Sequence, residues 1–265
     1  MTSLVRRPAR WSAVWASLPL TWALPALAQF AAPPAAPVNP RADAPEDLTG
    51  YWVSLVTEDW RVRMMTPDKG DATGVPLNAA GRAVLANWDP AKDEASGQQC
   101  KSYGAPALMR IPTRLHITWD GDTVLHIETD AGKQTRLLHF GAQAPQGAAP
   151  SLQGFSAASW DGGRPGGARG VTAGVAGKAT TEGYLRVVTT QLQPGYLRKN
   201  GIPYGANARL EEYFESFKEP NGDSWLVVTS VVTDPDYLNG NFINSSQFKK
   251  LSGPSGWNPR SCEAK

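Results

Sequence analysis

From Leu108 onward the chain is a succession of short segments separated by Gly, Asp, Asn and Pro turns, and that pattern leaves few folds open. The spans 107–111, 114–119, 123–129, 134–140, 152–160, 184–192, 208–217, 224–233 and 241–250 read as strands. Two more precede them at 52–56 and 60–64, the second alternating apolar and cationic residues. So many short strands with hairpin-length connections make a sheet whose edges must be paired or covered. The expected fold is therefore mainly β, an antiparallel meander closing into a β-barrel or stacking as two packed sheets. One short helix is expected near 78–88, capped by Asn78 and stopped by Asp89-Pro90, where a second short turn can start.

Residues 1–28 read as a signal peptide. Arg6, Arg7 and Arg10 precede an apolar stretch from Trp11 to Leu24, and Ala26-Leu27-Ala28 forms a small-x-small cleavage site. A periplasmic or secreted protein is expected, with no membrane span after cleavage. Residues 29–46 form an Ala/Pro-rich tether and 47–265 a single β domain. A glycine-rich loop at 161–182 interrupts that domain, and no helix follows it to make a phosphate loop. Removing the three leader arginines from the 26 Lys and Arg leaves 23 against 24 Asp and Glu, a balance that argues against nucleic acid as a partner. Cys100 and Cys262 are expected to form a disulfide in an oxidising compartment, tying the C-terminus to a loop before the meander.

All three histidines, His116, His126 and His139, fall on three consecutive strands that also carry Arg114, Glu128 and Arg136, with Arg110 just before them. A three-residue loop in the first hairpin pairs His116 with His126 and Arg114 with Glu128. Leu115, Ile117, Trp119, Leu125 and Ile127 then share one face, and Arg114, His116, Thr118, His126, Glu128 and Asp130 the other. That polar face either meets solvent or, turned inward, forms a pocket floor. A second cluster runs from Pro194 to Tyr204, a shaped turn whose Tyr196, Arg198 and Tyr204 offer stacking faces and fixed donors. Glu212 shares a strand side with Leu210 and Phe214; buried there it needs a partner, for which an arginine of the meander is the candidate.

Gly50-Tyr51-Trp52 resembles the Gly-x-Trp opening of lipocalin-like barrels, where the tryptophan plugs one end; this implies a barrel of lipocalin type. A longer set of segments is similar to a widespread group of secreted bacterial proteins that carries no assigned biochemical function. It comprises 76–82, Trp88-Asp89-Pro90, Cys100, Gly104-x-Pro106, Met109-Arg110-x-Pro112, Thr135-Arg136, Trp160-Asp161-Gly162 and Val232-Thr233-Asp234-Pro235. This second resemblance implies export and a scaffold, and it transfers no catalytic residue. The chain departs from the group at 163–182, where an insertion follows Trp160-Asp161-Gly162.

Three functions compete. The first is a carrier that holds a small amphiphilic or aromatic molecule in the barrel cavity, with Arg110, Arg136, His139, Tyr196, Arg198, Tyr204 and Glu212 as ligand-binding residues. The second is an isomerase, lyase or hydratase using His116 or His126 as acid or base, Glu128 to orient it and Arg114 to stabilise developing charge. The third is metal or haem ligation by the histidines, although their spacing forms no metal signature. No cofactor is expected, and the oligomeric state is open.

Overall fold

The computed structural model describes residues 39–162 and 183–264. The expected leader at 1–28, the expected tether up to residue 38 and the glycine-rich stretch 163–182 lie outside the described residues.

The alternating segments become strands. In chain order the elements are β1 (Gly50–Leu55), α1 (Trp60–Arg63), α2 (Ala79–Ala86), α3 (Pro90–Ala95), a 3-10 turn (Lys101–Tyr103), α4 (Ala105–Leu108), β2 (Arg114–Asp120), β3 (Val124–Thr129), β4 (Thr135–Phe140), β5 (Phe155–Gly162), β6 (Gly183–Thr190), β7 (Gly195–Arg198), β8 (Ile202–Tyr204), β9 (Arg209–Lys218), β10 (Ser224–Thr233) and β11 (Phe242–Leu251). Nine of these strands close into a barrel in the order β1-β11-β10-β9-β6-β5-β4-β3-β2, while β7 and β8 form a separate two-stranded ribbon. The mainly β fold with a lipocalin-like closed barrel therefore holds. Every neighbouring pair in the barrel is antiparallel except β4 and β5, which run parallel.

Two expected strands are helical turns instead. Residues 60–64 have no edge to join, because β1 pairs directly with β2 on one side and β11 on the other. Asp59 enters the left-handed region at φ 51° and starts α1 in their place. At 107–111, Pro106 sits in the first turn of α4, where its missing N–H is no loss, and Gly104 accepts from the amides of Ala107 and Leu108. The helix at α2 is capped as expected, with the Asn78 side chain accepting from Gly81 N at 2.8 Å, and Asp89 caps α3.

The first hairpin keeps a three-residue loop but pairs Asp120 with Val124, so His116 faces Glu128 and Thr118 faces His126. The expected pairing of His116 with His126 and of Arg114 with Glu128 is thus corrected by two residues. Gly121 supplies the left-handed loop residue at φ 64°, and Asp130 locks the far end by accepting from Arg114 N and Thr113 Oγ1, both at 2.8 Å. A shift of two preserves which residues share a face. The apolar face points in, and Leu115, Ile117, Leu125 and Ile127 are buried.

The interior is layered. One half of the barrel is filled by an apolar cluster that includes Trp52, Leu115, Ile127, Leu185, Phe214 and Phe248. The other end is covered by a second cluster in which Leu85 of α2 and Leu197, Ile202 and Tyr204 of the β7–β8 ribbon join Leu210, Val232 and Phe242. Between them six of the nine strands change character at one inward position: Arg136 on β4, Ser156 on β5, Thr189 on β6, Glu212 on β9, Ser230 on β10 and Ser246 on β11 are all buried. Arg136 grips Glu212 through two bonds, at 2.6 and 3.1 Å, and reaches Thr189 Oγ1 at 3.3 Å. Paired guanidinium and carboxylate satisfy each other here, where either alone would carry a large desolvation penalty.

Residues 39–46, expected as part of the tether, are bonded to the filled end. Trp160 Nε1 donates to Pro40 O at 2.7 Å, Arg41 N to Asp122 O at 3.2 Å, and the backbone and hydroxyl of Ser216 donate to Glu46. At the other extremity Cys262 is disulfide-bonded to Cys100 across 162 residues of sequence. Among the described residues, no helix is long and apolar enough to cross a membrane.

Candidate functional site

Beside the ribbon-covered end lies a cleft of about 250 Å³, built from five stretches distant in sequence: α1 with the residues after it, α4 with the segments on either side of it, the β3–β4 turn at Ala131 and Gly132, β7 with Lys199, and the C-terminal tail. Arg63, Arg110, Arg198, Lys199 and Arg260 line it, against the single carboxylate of Glu263. Val62, Ala107, Ile111 and Leu197 give the same cleft apolar wall. Its lining is therefore cationic and apolar at once.

Three of the cations are buried: Arg63 is 8% exposed, Arg110 5% and Arg198 6%. Each is held by a neutral or shared contact. Arg63 Nε donates to Arg110 O at 2.9 Å, and Arg198 Nη1 to Thr73 O at 2.7 Å. The guanidiniums of Arg110 and Arg198 lie over one ring, that of Phe242, at 5.4 and 5.8 Å. Asp59, itself half exposed, bonds Arg110 Nη2 at 3.2 Å. Arg63 Nη1 and Arg198 Nε are buried with no hydrogen-bond partner among the described residues.

Burial pushes all three guanidiniums below their ordinary pKa, and Arg110 pushes its neighbours Arg63 and Arg198 further down by like-charge repulsion. Arginine does not deprotonate in this range, so the charge stays and repels. Glu58, Asp59 and Asp71 attract these cations in turn, but only Asp59 bonds one of them directly, so two of the three buried guanidiniums lack a bonded carboxylate.

The Cys100–Cys262 disulfide holds the tail wall. Arg260 N donates to Asp130 O at 2.7 Å, Glu263 N to the Tyr103 hydroxyl at 3.4 Å, and the Lys199 ammonium lies 5.3 Å from the Tyr103 ring centre. Gly132, at φ 76°, leaves room for that Tyr103 ring.

The cleft collects two of the residues expected from the sequence, Arg110 and Arg198. The others lie elsewhere. Arg136 and Glu212 are consumed by each other in the buried layer. Tyr204 is buried in the cluster beneath the ribbon, its ionisation suppressed by burial. Tyr196 belongs to a different opening and donates to Asp93 Oδ2 at 2.8 Å; burial and that bond raise its pKa.

The histidines are on the outer wall of the barrel, so the polar face does not floor an internal pocket. His116 Nδ1 is 3.0 Å from Glu128 Oε2, with side chains 25% and 40% exposed. Its ring stacks on Tyr51 at 4.2 Å, with Trp257 of the tail edge-on at 6.1 Å. Arg114 pairs with Asp130 at 3.5 Å. His126 faces Thr118, and His139 stacks on Phe155 at 4.8 Å, where burial lowers its pKa. Among the described residues no group of three or more His, Cys, Asp or Glu is disposed to hold a metal ion.

Sequence reasoning missed Arg63, Lys199 and Arg260. The cationic alternation at 60–64 is the one local signal for Arg63, and it points to a strand that does not form. Arg260 has none.

Fold and site together define a class: a closed nine-strand barrel carrying a buried arginine cluster in a cleft at one end. Compared with known proteins, the chain matches no family model, no curated protein and no solved structure.

Proposed function

We propose that this is an exported binding protein, periplasmic or secreted, that takes a small anionic amphiphile in the arginine cleft. The observation that carries the reading is three buried guanidiniums of which only Arg110 bonds a carboxylate, the half-exposed Asp59, while Arg63 Nη1 and Arg198 Nε have no hydrogen-bond partner among the described residues. A bound carboxylate or phosphate supplies the missing charge through bidentate bonds that arginine is shaped to make. The apolar walls at Val62, Ala107, Ile111 and Leu197 suit the hydrocarbon or aromatic part of the same molecule. The leader sequence and the disulfide support export.

The test is thermal unfolding with octanoate, octyl phosphate and 1-octanol. A ligand at a hundred times its Kd stabilises by about 2.7 kcal/mol. The anions are expected to raise Tm with the logarithm of their concentration above Kd, and the alcohol to leave it unchanged. An equal response to all three, or none, sinks the proposal.

Acid–base catalysis is the second reading, and the 3.0 Å contact between His116 and Glu128 favours it. Glu128 is placed to hold the imidazole, and the open side of the outer wall would admit substrate. A screen of carbonyl substrates for isomerisation, elimination or hydration, with His116→Ala as control, decides it: turnover equal in the two proteins removes this reading.

A further inference from the structure

The end of α2 and the start of α3, with Tyr196 of β7, frame a second opening of about 380 Å³. No residue lines both this opening and the arginine cleft. Its volume lies in the range of small-molecule sites, about 300–1,000 Å³.

The polar groups here make a specific demand. Trp88 lines the opening and is 7% exposed, and its indole Nε1 has no hydrogen-bond partner among the described residues. Its ring packs so closely on the Gly201 backbone that a side chain there would collide with it, which holds the indole in place. An indole N–H only donates, so it calls for an acceptor. The neighbouring groups call for donors instead. The carboxylates of Asp89 and Asp93 accept, as does the Asn87 carbonyl, whose own amide nitrogen is engaged with Ala83 O at 2.8 Å. Tyr196 gives its hydroxyl hydrogen to Asp93 Oδ2 at 2.8 Å, so its phenolic oxygen is an acceptor too.

Charge is matched at this opening, unlike at the cleft. Asp93, 7% exposed, takes Lys101 Nζ at 2.8 Å, and Asp89 faces Lys92 Nζ at 4.0 Å. Two carboxylates each beside an ammonium give an ion of either sign little to gain. Ala83 and the partly exposed Val84 add apolar wall. A molecule that accepts once, donates several times, carries no net charge and offers C–H surface is polyhydroxylated and neutral.

We propose that the opening between α2, α3 and Tyr196 binds a neutral saccharide. Trp88 Nε1 donates to one hydroxyl oxygen, while the Asn87 carbonyl and the Asp89 carboxylate accept from other hydroxyls. This site goes beyond the anion reading and stands apart from it.

The experiment follows the Trp88 indole N–H signal by nuclear magnetic resonance, assigned through its Overhauser effect to Gly201, during titration with maltose, cellobiose and lactose. Putrescine and octanoate are the cationic and anionic controls. At least one sugar is expected to move the signal saturably, and neither control to do so. Val84→Arg, at an exposed helical position that Arg suits, fills the opening and is expected to weaken sugar binding at least about tenfold with Tm unchanged. Trp88→Phe, which keeps a ring and removes the donor, is expected to weaken it similarly, read by calorimetry; if that variant does not fold, Val84→Arg decides. A signal unmoved by all three sugars, one moved as well by putrescine or octanoate, or a Val84→Arg variant that binds like the wild type overturns the proposal. Val84→Arg should keep the thermal response to octyl phosphate, so loss of sugar binding alone concerns this opening and loss of that response in the wild type concerns the cleft.

Discussion

Two groups of buried charge in this protein differ in one respect, and the difference separates structure from function. In the barrel, Arg136 meets Glu212 one to one, both fully buried and both bonded twice. At the cleft, Arg63, Arg110 and Arg198 crowd together with half-exposed Asp59 as the carboxylate partner of Arg110. In the balanced pair the charges cancel, although Arg136 Nε has no hydrogen-bond partner among the described residues. An unbalanced cluster that reaches a mouth retains an electrostatic demand that a solute can meet, and it keeps that demand at a cost in stability.

The largest effect expected concerns the tail that walls the cleft. Cys100→Ser with Cys262→Ser opens a loop whose closure is worth about 5 kcal/mol in the chain-entropy model, an upper figure for a compact denatured state. Denaturant unfolding should show most of that loss, and octyl phosphate affinity should fall with it; unchanged affinity in the folded variant would mean that the wall of Arg260 and Glu263 contributes nothing to binding.

Glu212→Ala should follow at about 3–5 kcal/mol, because it leaves the buried Arg136 guanidinium with only the Ser156 and Thr189 hydroxyls and no counter-charge. Replacing both, as Arg136→Leu with Glu212→Leu, should recover most of the loss. Neither variant should alter anion affinity if the layer is purely structural. A double variant as unstable as the single one would show that the layer is irreplaceable for another reason.

Arg198→Met should do the opposite at the cleft. Relief of repulsion offsets the lost bond to Thr73, so stability should be unchanged or higher, while anion affinity drops at least about tenfold, or 1.4 kcal/mol. Calorimetric titration against chemical denaturation reads both. Lower stability with intact affinity would erase the contrast between the two groups.

The smallest effect belongs to a surface network that resembles neither. Burial alone would raise the Glu211 carboxyl, but donors from Tyr213, Arg209 and Arg186 outweigh it and hold the pKa at about 2. A carboxyl depressed in the folded state adds stability that is full above its ordinary value of 4.5 and is lost as the pH falls toward about 2. Glu211→Gln should flatten the acid limb of the stability profile between those values, and salt should shrink the effect. A limb unchanged by the substitution would assign acid sensitivity elsewhere.

Much of this was legible in residue order. Period-two alternation places Leu115, Ile117, Leu125 and Ile127 on one face, and a register shift of two leaves that assignment intact because the strand repeat is two. Asn78 and Asp89 announce helix starts through short side chains that reach the first free amides. The disulfide followed from two cysteines in a chain whose leader pattern reads as an export signal. The need of Glu212 for a meander arginine followed from the cost of an unpaired buried carboxylate, although the choice of Arg136 required the barrel to close.

Local pattern failed where closure competed with it. At 60–64 alternation reads as a strand, yet β1 already has both neighbours and the segment turns into α1, sending Arg63 inward. The histidines looked like a site because they are close in sequence, but their strands turn that face outward. The cleft draws Arg63, Arg110, Arg198 and Arg260 from four separate stretches, a convergence with no sequence period. Alternation and capping are interactions between near neighbours, so the sequence alone determined strands, faces, helix starts and the disulfide. Which face became the interior, and which cations came to share one cleft, depended on contacts between distant residues, and only the closed barrel with its disulfide-held tail decided them.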